Sequence, residues 1–500
     1  MLLKDLFEST SILNPEIFQK NDSLENLDIL DISFSSKKIS PGSIFVCLKG
    51  SKFDGHDFCK EAIDKGAVCI VSMKEPTNVP KNIPVILVKD TRKTLADISA
   101  NFFKHPAKEL KLIGITGTKG KTSTSFMINS ILNTAGLKSG IIGTLGVFLG
   151  DTFINTDNTT PESYYIQKYL RHMADLGFRY AVLEVSSIGL KTHRLDNIHF
   201  ESAVFTNFSL DHIGKDEHKD ENEYLESKSL LFSRCTSAFI NLDDEKAKYI
   251  LEKCKCKFVK FFSIDKKNAD LVAGKIKLLN KDNDLGINFE TSGLIKLDVN
   301  LGILGKFNVY NALAAILVTN YLGICKDDII SGLKNVKIKG RMEVLPVPSI
   351  LNFRVIIDYA HNSLSMENLL TTLRNYNPKR LVVVFGSGGN RPRIRRFQLG
   401  ETSGRLADLS ILTADNSRFE SILDIIKDIE IGIKKTKGKY VVVPDRHKAI
   451  EYAIFNAKPG DFIVFAGKGH EDYEDIKGVK RPFSERTIVK EVLNKLQYNK

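Results

Sequence analysis

Disulfide patterns and long apolar runs are both missing from this sequence of 500 residues. Its seven cysteines are scattered, and only Cys254 and Cys256 lie close together. They form neither a disulfide framework nor a zinc motif, which is typical of a reducing compartment. No stretch reaches the ~18 uninterrupted apolar residues of a membrane span, and the N-terminal segment carries acids instead of a long apolar core. We therefore expect a cytoplasmic protein with no membrane span.

Repeats, low-complexity segments and aromatic-basic motifs are also missing, so no nucleic-acid partner is expected. The net charge is +12, with lysine spread along the whole chain. This pattern favours a solvated lysine-rich surface, and the alternative is steering of polyanionic substrates such as nucleotides. Hydrophobic content of 42% and charged content of 26% are typical of a soluble globular protein. Its length predicts about three domains.

Three segments alternate apolar strands with helical stretches, which predicts an α/β fold. Residues 1–105 form a small α/β unit, and residues 106–338 contain apolar strand candidates that favour a parallel sheet. Residues 339–500 contain five near-continuous apolar strands, which predict a second open sheet. Open sheets of this kind bind ligands at the carboxyl ends of their strands.

A glycine-rich loop follows the strand predicted at 111–116 and precedes a helix predicted at 122–132. Its sequence is Gly117-Thr-Lys-Gly-Lys-Thr122. Backbone N–H groups and a helix N-terminus can hold phosphates there, while Lys121 reaches the β/γ-phosphates and Thr122 binds Mg²⁺. The loop is shorter than a full P-loop, because Ile115 stands where that pattern needs glycine. Against the alternative of a chance turn, the loop predicts use of a nucleoside triphosphate.

Polar side chains end two further strands of the middle segment. Glu184 ends the strand predicted at 180–185, while Asn207, Asp211 and His212 follow the strand predicted at 202–207. Carboxylate and imidazole groups at strand ends are candidate Mg²⁺ ligands, and the alternative is a structural role at the solvent edge.

Four polar loops follow strands of the last segment. They are Asp358-Tyr-Ala-His361, Gly386-Ser-Gly-Gly-Asn-Arg391, Asp415-Asn-Ser-Arg418 and Gly467-Lys-Gly-His-Glu471. Because the carboxyl ends of parallel strands meet at one edge, we expect these loops to form one rim and a substrate site.

These motifs, taken in order, resemble those of the Mur ligases, within which the chain is most similar to the ligases that add the third amino acid of the peptidoglycan precursor. Further matching motifs are Ser40-Pro-Gly-Ser-Ile-Phe-Val-Cys-Leu-Lys-Gly50, Asn158-Thr-Thr-Pro161, Glu184-Val-Ser-Ser187, Gly305-Lys-Phe-Asn-Val-Tyr-Asn-Ala312 and Gly340-Arg-Met-Glu343. The resemblance implies three domains. They are a small α/β uridine-nucleotide domain, a central P-loop ATPase-like domain with a parallel sheet, and a C-terminal Rossmann-like domain.

The activity that the resemblance implies is ATP-dependent amide formation on UDP-MurNAc-L-Ala-D-Glu, by way of an acyl phosphate. The implied catalytic residues are Lys121, Glu184, His212 and Lys228. Thr122 and Glu184 would hold one Mg²⁺, and His212 and Lys228 a second. Lys228 would carry a carbamate derived from CO₂ (N6-carboxylysine), although by itself it reads as a helix-surface lysine. We expect small-molecule substrates and a monomer.

The resemblance also implies three sets of binding residues. ATP would contact Gly117, Thr118, Lys119, Gly120, Lys121, Thr122, Ser123, Asn311, Arg341 and Asp358, with His361 nearby. The UDP-MurNAc-dipeptide would contact Ser36, Asn158, Thr159, Thr160, Ser186, Arg194 and Lys228. The added amino acid would contact Arg391, Asp415, Asn416, Ser417, Arg418, Gly467 and Glu471.

Several positions depart from the family pattern. Ser417 replaces a proline, Asn390 an aspartate and Ile188 a histidine, while Ser35-Ser-Lys37 replaces Asp-Ser-Arg. By motif, diaminopimelate is favoured by the retained Arg391, Arg418 and Glu471, of which Arg418 would bind the distal carboxylate, and lysine or ornithine stay open. Three further functions stay open as well: a D-alanyl-D-alanine-adding ligase, a folylpolyglutamate synthetase and a regulatory nucleotide-binding module without catalysis.

Overall fold

The computed structural model describes residues 1–19, 24, 26–50, 53–210, 213–214, 217–281 and 284–498. The chain divides into two compact units. The first contains Met1–Val272 with Tyr310–Gly332, and the second contains Ala273–Val309 with Leu333–Lys500. Within the described ranges, no helix combines the length and the apolar character needed to cross a membrane.

The N-terminal sheet of the first unit confirms the small α/β arrangement predicted there. Its four parallel strands lie in sequence order: β1 (Asp31–Ser33), β2 (Ser43–Val46), β3 (Ala67–Ser72) and β4 (Val85–Leu87). The accompanying helices are α1 (Leu3–Leu6), α2 (Glu16–Gln19), α3 (Cys59–Asp64) and α4 (Thr91–Phe102). Asp90 caps α4 by accepting hydrogen bonds from the backbone N–H groups of Arg92 and Lys93.

A larger sheet in the same unit contains the glycine-rich loop. Its strands are β5 (Lys111–Thr116), β6 (Ser139–Gly143), β7 (Gly146–Leu149), β8 (Thr152–Ile154), β9 (Tyr180–Glu184), β10 (Phe200–Phe205), β11 (Cys235–Asn241) and β12 (Phe258–Ser263). The order is β12-β11-β10-β5-β9-β6-β7-β8; β7 pairs antiparallel with both β6 and β8, and the other pairings are parallel. The helices are α5 (Lys121–Thr134), α6 (Ser163–Asp175), α7 (Ser187–Lys191), α8 (Glu221–Ser229) and α9 (Ala247–Lys253).

Strand β5 lies in the middle of the parallel part, so the loop after it is flanked by the ends of β9 and β10. Its residues from Leu112 to Thr116 are buried. Apolar strands that are covered on both faces have this near-continuous pattern. The parallel sheet predicted around the loop is therefore confirmed.

The elements that lead from the first unit into the second were not predicted from the sequence. Strand β13 (Leu271–Lys281) pairs with β12 at its start, and β14 (Asp284–Gly293) forms an antiparallel pair with β15 (Asp298–Leu301). Helices α10 (Asn308–Tyr321) and α11 (Lys326–Asn335) follow.

The C-terminal sheet is doubly wound. Its strands are β16 (Glu343–Leu345), β17 (Arg354–Asp358), β18 (Arg380–Phe385), β19 (Leu409–Leu412), β20 (Tyr440–Val442) and β21 (Asp461–Ala466). The order is β16-β17-β21-β18-β19-β20, parallel except for β16. The helices are α12 (Ser363–Arg374), α13 (Ile394–Leu406), α14 (Ile422–Ile433), α15 (Arg446–Phe455) and α16 (Glu485–Tyr498), with a hairpin of β22 (Tyr473–Ile476) and β23 (Val479–Pro482).

Helices pack on both faces of this sheet in two apolar clusters. One cluster contains Leu369 and Leu399, and the other contains Ile450 and Val492. Each fully buried aliphatic side chain contributes about 1.5–3 kcal/mol. The five apolar strands predicted in this segment are all present, which confirms the second open sheet. The exact domain boundaries at 105/106 and 338/339 stay predictions.

Candidate active site

The loop between β5 and α5 needs glycine at two positions. Gly117 has φ +148°, and a Cβ there would lie 2.0 Å from the hydroxyl of Thr206. Gly120 has φ +89°, and a Cβ there would lie 2.4 Å from the side-chain oxygen of Asn311. Side chains are therefore excluded at these close approaches, so an anion can come close to the backbone of the loop. The buried Asn311 also accepts a hydrogen bond of 3.3 Å from Thr124.

The end of β10 braces the loop. The backbone N–H of Thr118 donates to the carbonyl of Asn207 (2.9 Å), and the N–H of Lys119 donates to the Asn207 side chain (2.9 Å). Ser123 lies one turn further on, at the start of α5. The predicted polar end of β10 thus supports the loop.

Two lysines meet at one carbonyl of this loop. Lys121 Nζ donates to the carbonyls of Gly117 (2.7 Å) and Thr118 (3.1 Å). Lys228 Nζ, on α8, donates to the same Gly117 carbonyl at 3.0 Å and lies 4.3 Å from the ring centroid of Tyr224. Lys228 is only 1% exposed, so it is not the surface residue that its sequence context alone indicates.

Glu184 is the buried acid at the end of β9. Its Oε2 accepts hydrogen bonds from the hydroxyls of Thr122 (2.9 Å) and Thr144 (2.8 Å), and its Oε1 accepts from the Thr144 backbone N–H (3.1 Å). Burial raises the pKa of Glu184, and the charge of Lys121 opposes that rise. Thr144 was missed in the sequence, although it follows β6, whose end lies beside that of β9.

Thr122 and Glu184 together present oxygen atoms of the kind that Mg²⁺ prefers. His212, the third predicted metal ligand, lies outside the described residues. Within the described ranges, no cluster of three or more His, Cys, Asp or Glu side chains could hold a metal ion. His218, which was not singled out, is buried, with its Nε2 2.9 Å from the hydroxyl of Ser187 and its ring centroid 5.0 Å from that of Tyr224.

Thr160 connects the predicted muramoyl-peptide residues to β9. Its hydroxyl donates to the Glu184 carbonyl (2.8 Å) and accepts from the Ser186 backbone N–H (2.9 Å). Arg194 donates to the Thr160 carbonyl (2.8 Å) and pairs with Glu162 (2.9 Å), an acid missed in the sequence. The structure therefore brings Thr160, Ser186 and Arg194 together.

The other predicted residues of this substrate are placed differently. The hydroxyl of Thr159 is 3.0 Å from that of Thr144, whereas Asn158 is exposed. Ser36 is buried at the start of a short helix, where its hydroxyl donates to Glu61 (3.0 Å). Contact of Ser36 with a uridine nucleotide stays a prediction.

In the second unit, Asp358 holds the segment that precedes the last sheet. Its buried carboxylate accepts hydrogen bonds from the backbone N–H groups of Met342 and Ala360, both 2.8 Å. Burial raises the pKa of Asp358 and lowers the pKa of His361. The guanidinium of Arg341 lies over the Tyr359 ring, 5.4 Å from its centroid.

The four predicted loops of the last sheet form one rim, because β17, β21, β18 and β19 are neighbours. The Gly467 N–H donates to the Asp358 carbonyl (3.1 Å), and Asn416 Nδ2 donates to Glu471 Oε2 (2.8 Å). Arg418 Nη1 donates to the carbonyl of Gly389 at 2.6 Å. The prediction of a common rim is confirmed.

Within this rim, a Cβ at Gly467 (φ +110°) would lie 2.8 Å from Asp415 Oδ2, so only glycine leaves that carboxylate undisturbed. Ser417 is buried, whereas Arg391 is exposed. Burial raises the pKa of Glu471, and the hydrogen bond from Asn416 opposes the rise. The rim therefore contains the acids Asp415 and Glu471 in two of its loops, with Arg418 in the same loop as Asp415.

These features define an α/β protein of three sheet-based domains with a nucleotide-phosphate loop in the central one. Sequence profiles match at three places: the Mur ligase family catalytic domain at residues 29–103, the Mur ligase middle domain at 115–319, and the Mur ligase glutamate ligase domain at 340–469. The chain belongs to the Mur ligase family, and it is an ATP-dependent amide ligase. The predicted three-domain α/β fold is confirmed.

Two relatives and one solved structure carry the same printed name, UDP-N-acetylmuramoyl-L-alanyl-D-glutamate–2,6-diaminopimelate ligase. The relative from Caldanaerobacter subterraneus is 42% identical over 94% of this chain and 95% of its own length. The relative from Clostridium perfringens is 39% identical over 99% of both chains. The solved structure is 27% identical, with a TM-score of 0.69 over 95% of this chain and 96% of that chain.

Proposed function

We propose that this chain joins 2,6-diaminopimelate to the D-glutamate carboxylate of UDP-MurNAc-L-Ala-D-Glu, in the synthesis of the peptidoglycan precursor. The observation that carries the choice of amino acid is the rim, whose loops bring Arg418, Asp415 and Glu471 to the same edge of the sheet. Diaminopimelate has a carboxylate and an ammonium at its distal end, so a guanidinium beside carboxylates complements it. Lysine and ornithine lack that carboxylate and would leave Arg418 with only its ion pair to Asp475, at 3.7 Å.

The proposed reaction has two steps. The D-glutamate carboxylate attacks the γ-phosphorus of ATP, and ADP leaves, which produces an acyl phosphate. The amine of the incoming amino acid then attacks the acyl carbon, phosphate leaves, and the nitrogen loses a proton. In this scheme, the glycine-rich loop from Gly117 to Thr122 holds the phosphates, and Lys121 stabilises the charge on the transferring group.

The residues present fit a Mg²⁺ site. Mg²⁺ typically takes one or two protein oxygens and completes its shell with water and substrate phosphates, and Thr122 with Glu184 supply such oxygens. When bound there, Mg²⁺ would neutralise phosphate charge that otherwise repels the attacking carboxylate. We propose a second Mg²⁺ with His212 and Lys228 as ligands.

That second ion requires Lys228 as a carbamate. The buried position of Lys228 at the Gly117 carbonyl supports this proposal, since a carbamate would turn the cation into an oxygen ligand beside the phosphate loop. A lysine exposed on the helix surface could not supply a ligand beside the phosphate loop.

The remaining substrate contacts are proposed from the hydrogen bonds around β9. Thr160, Ser186 and Arg194 would orient the muramoyl peptide, with Asn158 and Thr159 at the same end of the sheet. Ser36 would contact the uridine nucleotide, while Asn311, Arg341 and Asp358 would serve ATP. We also propose that the enzyme acts in the cytoplasm as a monomer.

An amino-acid panel tests the proposed function. Purified enzyme receives ATP, Mg²⁺ and UDP-MurNAc-L-Ala-D-Glu with diaminopimelate, lysine or ornithine, and phosphate release and product mass are measured. Diaminopimelate should have the highest kcat/KM. Preference for lysine or ornithine would overturn the choice of amino acid, and no phosphate release with any of the three would overturn the ligase reaction. A Lys121→Ala variant gives the background.

A further inference from the structure

Lys468, which follows Gly467 in the rim, is a buried cation to which neither the sequence motifs nor the proposed reaction gives a role. Its side chain is 0% exposed. Its Nζ donates to the carbonyl of Tyr473 (2.7 Å) and to Oδ1 of Asn416 (3.1 Å). A lysine is almost never fully buried unless it is paired with an acceptor or an opposite charge.

Two carboxylates of the rim lie on either side of this ammonium. Asp415 Oδ1 and Glu471 Oε2 are each 3.8 Å from Lys468 Nζ. These are the two acids that the proposed function assigns to the incoming amino acid. A single buried cation therefore contacts both of them at once.

Lys468 also determines the orientation of the Asn416 amide. Oδ1 of Asn416 accepts from Lys468 and from the Asp475 backbone N–H (2.9 Å), so Nδ2 of Asn416 is directed at Glu471 (2.8 Å). An amide has one acceptor end and one donor end, so fixing the acceptor end fixes the donor end as well. Lys468 thus acts on Glu471 by charge and through Asn416.

We propose that Lys468 is a positioning residue of the amino-acid site, which holds Asp415 and Glu471 in place to accept the ammonium groups of the diamino acid and keeps Glu471 ionised. This inference rests on the proposed function. Two carboxylates near each other in a buried site otherwise favour uptake of a proton, and a protonated acid binds an ammonium poorly. The ammonium of Lys468 opposes that uptake.

The electrostatics around Glu471 agree with this geometry. Burial and the charge of Asp415 raise its pKa, whereas Asn416 and Lys468 lower it. Charged or titratable groups that face the three residues from the surrounding elements are Tyr359, His361, Arg446, Tyr473 and Glu474.

The test is Lys468→Met, which removes the ammonium and keeps an unbranched chain. The KM for the amino acid should rise by about tenfold or more, because buried Asp415 and partly buried Glu471 lose their shared cation. The KM for ATP should stay unchanged. The ratio of amino-acid KM between variant and wild type should fall as the pH rises from about 7 to 9, since higher pH restores the ionised carboxylate of Glu471. An unchanged amino-acid KM, or a ratio that does not vary with pH, would overturn the proposal.

A double-mutant cycle separates this role from simple support of the fold. In a Glu471→Gln background, Lys468→Met should raise the KM for the amino acid by a clearly smaller factor than in the wild type, because one of the charges that Lys468 balances is gone. Equal costs in both backgrounds would refute charge balancing, and this comparison remains possible if the single variant folds poorly. The matched control is Lys260→Met. Lys260 lies on β12 and pairs with Asp270 at 2.7 Å. If the wild type uses no diamino acid at all, the proposed function fails instead.

Discussion

The hydroxyl of Thr122 donates a hydrogen bond of 2.9 Å to the carboxylate of Glu184, and this bond joins the first turn of α5 to the end of β9. The two residues are 62 positions apart in the sequence. Their contact places a hydroxyl and a carboxylate side by side next to the phosphate loop, which is an arrangement suited to a hard cation.

Glu184→Gln should weaken Mg²⁺ use. The amide keeps the size of the side chain and removes its charge, so the Mg²⁺ concentration for half-maximal activity should rise by about tenfold to a hundredfold. Mg²⁺ titration of phosphate release measures this. Glu201→Gln on β10 is the control and should match the wild type. An unaltered Mg²⁺ requirement in Glu184→Gln would argue against the proposed metal site.

Lys228→Ala should abolish turnover, with a loss of at least about a hundredfold, because a charged group at the Gly117 carbonyl is removed. Added bicarbonate should not rescue this variant. In the wild type, ¹³C-bicarbonate should produce a carbamate signal by NMR, and Lys228→Ala should lack it. Lys246→Ala, on a surface ion pair with Glu221, is the control. Normal activity of Lys228→Ala would refute the carbamate.

Arg418→Gln should change the choice of amino acid. The kcat/KM for diaminopimelate should fall by roughly tenfold to a hundredfold, since a charge-assisted hydrogen bond to the distal carboxylate is lost. The value for lysine should change much less, because lysine has no distal carboxylate. Arg374→Gln, which removes a partly exposed ion pair with Asp408, should leave the kcat/KM for both amino acids unchanged. Equal losses for both amino acids would contradict the proposed contact.

His470 should make the protein less stable in mild acid. Burial, with the charge of Arg341 next, lowers its pKa from 6.5 to about 4. Between these values the unfolded chain binds a proton that the folded chain does not, so this residue reduces the free energy of unfolding as pH falls from 6.5 towards 4. The free energy of unfolding, measured with urea, should fall less between pH 7 and pH 5 in His470→Gln than in the wild type. In the control His447→Gln, at an exposed histidine, the free energy of unfolding should fall between pH 7 and pH 5 by as much as in the wild type.

Arg446→Met should destabilise the C-terminal sheet. Arg446 is buried, pairs with Glu485 at 2.8 Å, and donates to the carbonyls of Ala414 and Ala466, both 2.8 Å. Loss of the arginine leaves Glu485 buried and unpaired, which costs about 3–5 kcal/mol. Replacing both partners, in Arg446→Met with Glu485→Leu, should recover much of that loss. Thermal unfolding checks both variants, and a single variant as stable as the wild type would contradict the argument.

Local patterns in the sequence were enough to predict many of the parallel strands and the polar residues that follow them. Buried parallel strands are short continuous apolar runs, and polar residues directly after them must lie at the sheet edge, so the loops at 117–122, 358–361, 415–418 and 467–471 could be placed without coordinates. Strands β1, β6–β8, β11–β16, β22 and β23 were not predicted; those from β13 to β15 and the hairpin of β22 and β23 mix polar and apolar residues and so lack that signal.

The sequence by itself determined the α/β fold, the phosphate loop and the rim of polar strand ends, because each depends on neighbouring residues and on the fixed geometry of parallel sheets. Only the tertiary structure decided that Lys228 reaches the Gly117 carbonyl, that Thr144 holds Glu184, and that Lys468 lies between Asp415 and Glu471. These contacts join residues on different elements. A lysine has the same local pattern at the surface and at a buried site, so its role depends on what packing brings to its ammonium.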